Sequence, residues 1–212
     1  MSRPSCAIMA NLPPSDTSET NLEQVRFNPK ISAAIRDRNI SALRDLFAED
    51  PGQVSAFTPF AGGAWLHYAS REGNAEAVRL LLSLGADVNK GDSREGRGAL
   101  CDACLGGHAD IVAILLSAGA RIDTSTSVRN PLFSSIVANS LPSAVALLDH
   151  GMDTKVSYDG PFMKNMDAVS FAMERGSTEI AEEISRRQAE GDPELAQRIL
   201  ENARATAQIN NA

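Results

Sequence analysis

Apolar residues in this chain fall into blocks, and the blocks return at a nearly constant interval. Trp65-Leu66-His67-Tyr68-Ala69 is followed by Gly73, then Ala77-Val78-Arg79-Leu80-Leu81-Leu82, then Gly85-Ala86-Asp87-Val88-Asn89. The same order comes back as Ala99-Leu100-Cys101-Asp102-Ala103, Gly107-His108, Ile111-Val112-Ala113-Ile114-Leu115-Leu116 and Gly119-Ala120-Arg121-Ile122-Asp123, 34 residues on from Ala69 to Ala103. Two looser copies follow at offsets of 32 and 37 residues. One holds Pro131 to Ser135, Asn139, Val145 to Leu148 and Gly151-Met152-Asp153. The other holds Ala168 to Ala172, Gly176 and Ile180 to Ile184. A degenerate first copy places Ile31, Ala34, Ile35, Leu43, Leu46 and Phe47 on the apolar positions. The spacing predicts two helices per copy, the second apolar at i, i+3, i+4 and i+7. Gly73, Gly107, Asn139 and Gly176 mark the corner between them, since glycine and asparagine accept a left-handed backbone. Gly85, Gly119 and Gly151 stop the second helix. No such pair buries its apolar side alone, so neighbours must stack.

Residues 1–27 contain three prolines and many small polar residues without a lasting apolar period, and are expected to form a disordered arm. The repeat array is expected over 28–190, opening at Asn28-Pro29, where asparagine caps and proline suits the first turn. Arg36, Asp37, Arg38, Arg44 and Asp45 in the first copy, and Glu179, Glu182, Glu183, Arg186 and Arg187 in the last, read as polar caps. Residues 191–212 are expected to hold a C-terminal helix, from Asp192-Pro193 to about Ala205, and a tail. Leu195, Ile199 and Leu200 would dock that helix on the last copy; a projecting tail is the alternative reading.

These motifs resemble the ankyrin repeat, with its T-P-L-H-x-A turn, G-H corner, V-x-x-L-L helix and G-A-D-V-N exit. The resemblance covers about residues 31–187, and Gly85 to Asn89 matches the exit outright. Departures are plain. His67 alone keeps the turn histidine, with Ala64 where the family has its threonine and Trp65 where it has proline. Cys101, Phe133 and Ser170 stand at the other histidine positions. The resemblance implies an all-α solenoid of about five helix pairs, including degenerate caps, plus the C-terminal helix. It also implies a protein partner held on the concave face by loop tips and the exposed ends of each first helix. Carried over by position, that face comprises Phe60, Ala61, Gly63, Arg71, Glu72, Arg94, Glu95, Arg97, Leu105, Ser127, Arg129, Val137, Met163, Lys164, Met166, Glu174 and Arg175, with Tyr68 and Asp102 close by. Phe57, Phe60 and Trp65 gather at one loop, and Tyr158, Phe162, Met163 and Met166 at another. Such residues are common interface anchors. Packing among themselves is the competing reading, and it is favoured for Trp65.

Charge and chemistry narrow the function. Twenty basic against 27 acidic residues give a net charge of −7. That disfavours nucleic acid, which wants a basic patch, and weakly disfavours an anionic membrane. The three cysteines, Cys6, Cys101 and Cys104, form no disulfide framework, and no apolar run is long enough for a membrane span. A cytoplasmic protein is expected, with the nucleus not excluded. His67, His108 and His150 sit at repeat positions, and Cys101 and Cys104 are three apart on one helix without a second pair. Core packing is their favoured role. No catalytic residue, metal or cofactor is expected, and Gly106-Gly107 lacks the context of a phosphate loop. The reading is a protein-binding module, monomeric when free. It would be a stoichiometric inhibitor such as an immunity protein, or an adaptor bridging two proteins. A thiol-dependent enzyme and an oligomer built through the C-terminal helix are the rival classes.

Overall fold

A computed structural model of the chain describes residues 28–58, 62–160 and 163–210. The arm expected over 1–27 therefore lies outside the described residues, as do Cys6, Phe60 and Phe162.

Polar side chains begin the helices. Asn28 Oδ1 accepts the Lys30 N–H at 3.0 Å, just ahead of Pro29, and α1 spans Pro29–Arg36. Asn39 accepts from Ala42 at 3.0 Å to open α2, Ile40–Glu49. Four further pairs follow: α3 (Trp65–Arg71) with α4 (Ala75–Ser83), α5 (Ala99–Leu105) with α6 (Ala109–Ser117), α7 (Pro131–Val137) with α8 (Leu141–Asp149), and α9 (Ala168–Arg175) with α10 (Thr178–Gln188). Every first helix ends in a left-handed residue: Arg38, Gly73, Gly107, Asn139 and Gly176, at φ 54°, 72°, 74°, 49° and 74°. At Gly73 space forbids a side chain as well, because a Cβ would come within 2.5 Å of the His108 ring.

The pairs stack in order. α3, α5, α7 and α9 lie side by side as an inner row, and α2, α4, α6, α8 and α10 as an outer row. Their shared interior is aliphatic. Phe47, Leu81, Leu115, Leu147 and Ile184 occupy one register, at steps of 34, 34, 32 and 37 residues, and all are buried.

A second register is polar. The residue after each corner reaches back to a carbonyl near the end of the preceding inner helix. Asn74 Nδ2 donates to Ile35 O at 2.7 Å, and His108 Nε2 to Arg71 O at 3.1 Å. Ser140 Oγ donates to Gly107 O at 3.4 Å, and Ser177 Oγ to Ile136 O at 3.2 Å. These are carbonyls a short helix cannot satisfy internally.

Loops project between the pairs as fingers. Isolated bridges join Phe57 to Ala64 and Gly91 to Gly98. The finger before α9 is longer and forms a two-stranded antiparallel hairpin, β1 (Tyr158–Gly160) and β2 (Met163–Met166). This small sheet departs from the purely helical expectation, and it falls where the repeat offset is greatest. Asp92 shapes the finger before α5. Its Oδ1 accepts the backbone N–H groups of Arg94, Glu95, Gly96 and Arg97 at 2.8–3.3 Å, and Arg97 Nε lies 3.5 Å from Oδ2. Burial would push the Asp92 carboxyl up. The backbone donors and Arg97 more than offset this and hold it below its usual range.

His67 ties two fingers together. Its Nδ1 accepts the Ala64 N–H and its Nε2 donates to Arg97 O, both at 3.1 Å, so the ring is neutral with its hydrogen on Nε2.

Helix α11, Pro193–Asn210, packs on α9, α10 and β2 instead of projecting. Ile199 and Leu200 are half-buried on this contact, as the sequence suggested, but the fully buried positions are Ala203 and Ala207. The helix outruns the expected end at Ala205. Asn210 holds its last turn by exchanging hydrogen bonds with the Lys164 backbone, at 2.7 and 3.2 Å.

Two predictions follow from this architecture. Leu115→Ala and the equivalent Leu81→Ala should each cost about 3 kcal/mol in urea unfolding, whereas Arg79→Ala on the exposed side of α4 should cost under about 0.5 kcal/mol. The second concerns His67. Burial holds its imidazole below the ordinary 6.5, against the attraction of Asp102. As pH falls, the unfolded chain takes up this proton before the folded one does. The stability carried by the neutral ring is therefore complete above pH 6.5 and is lost as pH drops below it. His67→Gln should cost about 1–2 kcal/mol at neutral pH. Its urea midpoint should also fall less than that of the unaltered chain on acidification through this window, a comparison in which the contributions of carboxylates other than Asp102 and Asp92 cancel.

Candidate functional site

The ends of the inner helices and the fingers share one face, and three parallel rows of side chains cross it. The first row is Arg71, Leu105, Val137 and Glu174, one from each inner helix from α3 to α9. The second is Tyr68, Asp102, Ser134 and Phe171. The third is Glu72, Gly106, Ala138 and Arg175. In the first and third rows charges stand at the ends and the middle is apolar or small; the second row carries Asp102 between Tyr68 and Ser134.

The middle holds a pocket of about 210 Å³, bounded by Arg97, Leu105, Ser127, Val128, Phe133, Ser134, Val137 and Phe171. Val128 and Val137 are 41% and 47% exposed, high for large aliphatic residues beside a well-packed core. The floor is rigid: Phe133 and Phe171 stack at 4.6 Å between centroids, and Tyr158 meets Phe133 edge-on at 5.2 Å.

A smaller pocket, about 120 Å³, lies one repeat earlier between α3 and α5, bounded by Gly63, His67, Tyr68, Arg71, Asp92, Arg97 and Asp102. The Asp102 side chain is only 7% exposed, and Arg71 Nη1 stands 3.6 Å from its Oδ1. Burial raises the Asp102 carboxyl above its usual range, and the nearby His67, Arg97 and Arg71 offset only part of that.

The residues expected to touch a partner divide into three groups. Tyr68, Arg71, Arg97 and Leu105 come together around the two pockets. Glu72, Arg94, Glu95, Lys164 and Arg175 are exposed elsewhere on the inner helices and fingers. The others are committed to the fold. Trp65 is fully buried; as the first residue of α3 it points inward, its Nε1 donates to Gln53 Oε1 at 3.4 Å, and a partner cannot reach it. Met166 is buried too. Arg129 clamps neighbouring fingers, with Nε donating to Glu95 O at 2.6 Å and Nη1 lying 3.8 Å from Asp123. The Tyr158 hydroxyl donates to Thr124 O at 2.8 Å and accepts from Asn130 at 3.0 Å. Phe60, Phe162 and the side chain of Met163 lie outside the described residues. Sequence reasoning passed over Val128, Phe133 and Phe171. Phe171 carried a signal, since it aligns with Tyr68 and Asp102; Val128 carried none beyond being an apolar residue in a loop.

The thiols are core groups. Cys101 and Cys104 are buried, and Cys101 Sγ donates to Arg129 O at 3.0 Å. Burial pushes the Cys104 thiol up to about 12 and Cys101 higher still, so both stay protonated at neutral pH. Among the described residues, no helix is long and apolar enough to cross a membrane.

Comparison with known proteins agrees with the repeat geometry. The family described as "Ankyrin repeats (3 copies)" matches residues 30–126 and 66–158. Over 94 residues the chain is 33% identical to "Probable E3 ubiquitin-protein ligase XBOS32" of Oryza sativa subsp. japonica, covering 44% of this chain and 18% of that protein. Over 111 residues it is 32% identical to "Ankyrin repeat and SAM domain-containing protein 6" of Rattus norvegicus, covering 52% and 12%. Over 73 residues it is 44% identical to "Notch-regulated ankyrin repeat-containing protein A" of Danio rerio, covering 32% and 63%. The match thus spans less than two thirds of each of these relatives and rests on the repeats. Ankyrin repeats are in general non-enzymatic modules of protein–protein interaction. With five stacked helix pairs, left-handed corners and a matching repeat family, the chain belongs to the ankyrin-repeat proteins.

Proposed function

We propose that the chain binds a partner protein on its inner face, centred on α5, α7 and α9, and acts by occupancy as a stoichiometric inhibitor. One observation carries this reading: the apolar centre formed by Leu105, Val128, Val137 and Phe171, set between charged ends on a rigid aromatic floor. Interfaces draw affinity from a few apolar anchors ringed by polar groups. The inner helices also supply a preorganised support, so little ordering cost opposes binding.

An adaptor would need a second contact surface. Ile209 on α11 is 71% exposed, but it is a single side chain and makes no comparable patch. The thiol-enzyme reading has no support in two buried, protonated cysteines.

The test begins with capture of the partner from native lysate on the immobilised chain. Val137→Asp should then weaken the captured partner's Kd about 30-fold, the equivalent of about 2 kcal/mol for a charge facing an apolar contact. Its melting temperature should stay within about 2 °C of the unaltered chain, as expected for a half-exposed site. Arg79→Glu on α4 should leave binding unchanged. Equal binding by Val137→Asp would remove the inner face from consideration.

A further inference from the structure

The apolar centre says where a partner would sit; the pocket beside it says what that partner presents. Asp102 and Asp92 line the same pocket, yet their surroundings differ. Asp92 has four backbone donors on one oxygen and Arg97 beside the other. Asp102 has neither. Among the described residues its one ion pair is with Arg71 Nη1, at 3.6 Å and beyond hydrogen-bond distance, and no group donates a hydrogen bond to its carboxylate. A carboxylate this nearly buried, with no protein donor and only a sliver of solvent contact, is costly, and burial raises its pKa. The cost is borne next to about 120 Å³ of open space on the partner-facing side.

The cations already nearby do not fill the need. Arg97 Nε stands 3.5 Å from Asp92, buried and without a hydrogen-bond partner among the described residues, and Arg71 lies half in solvent, with 51% of its side chain exposed. Tyr68 offers a half-buried ring along one wall, the kind of surface that accepts the stem and head of a basic side chain.

Resting on the inner-face reading above, we propose that this pocket receives an arginine or lysine side chain of the partner, whose nitrogen donates to Asp102. The neighbouring apolar pocket then sets the spacing. The two pockets are about one repeat apart, and adjacent helices pack at roughly 8–10 Å. An extended chain advances about 3.3 Å per residue. The occupant is an extended partner segment carrying a basic residue about three positions from a large aliphatic or aromatic one.

The probe is a displayed library of short random peptides, panned against the full chain, with the enriched sequences synthesised and titrated. Enriched peptides should pair arginine or lysine with leucine, isoleucine, methionine or phenylalanine at that spacing. Asp102→Asn should weaken them about tenfold or more, and so should replacing the basic residue in the peptide. Combining the two changes should cost little beyond either one. Because Asp102→Asn removes an enclosed charge, its melting temperature should be no lower than that of the unaltered chain, which separates lost recognition from lost folding. Enrichment of acidic peptides that depend on Arg71 would overturn the proposal, as would panning that enriches no sequence. Peptides that ignore Asp102→Asn but fail on Val137→Asp would overturn it alone and leave the inner-face reading standing. Peptides that bind Val137→Asp unchanged would remove both.

Discussion

The carbonyls at the end of a seven- or eight-residue helix and its corner have few partners of their own, and in this chain the next repeat adds a side-chain donor. Asn74, His108, Ser140 and Ser177 each stand one residue past a left-handed corner and donate back to the repeat before. Asn74 and Ser140 also accept a backbone N–H from their own outer helix, at 3.0 and 3.4 Å. One side chain thus starts its own helix and completes the previous one. The aliphatic register of Phe47, Leu81, Leu115, Leu147 and Ile184 makes stacking favourable. The polar register makes it specific, because a slipped neighbour would strand a side-chain donor at each step.

The backbone plan was legible wherever residue type dictates backbone geometry. Gly73, Gly107, Asn139 and Gly176 announced four of the five corners. Arg38 announced nothing: an arginine seldom adopts φ 54°, and it is held there with its guanidinium donating to Gly73 O at 3.0 Å. The hairpin before α9 was also hidden. Its strands are three and four residues long, too short to show an alternating pattern. The end of α11 escaped because two alanines and a terminal asparagine, not large apolar residues, seat its last turns.

Alignment of the copies puts the candidate residues Arg71, Leu105 and Val137 in one row on the inner helices; which candidates the fold itself engages shows only in the structure. The sequence already favoured packing for Trp65, and the fold engages Arg129 and Tyr158 as well. All three are typical interface residues, and all three are consumed by the fold: one in the core, one as a clamp between fingers, one bonded to Thr124 and Asn130. Asp102 was placed beside this face by alignment, but its surroundings were not legible. Its lack of donors depends on where Arg71 and Arg97 point, and no spacing rule encodes that.

The unequal repeat offsets carry a last consequence. Steps of 34, 32 and 37 residues all return the chain to the same buried register, so the surplus and deficit are taken up outside the stack. The finger before α9 absorbs the longest step as a hairpin that leans on α11. Insertions and deletions in these fingers therefore change the contour offered to another molecule while leaving the helix pairs in place. The surface that meets the outside world can drift in length and composition on a scaffold that stays put.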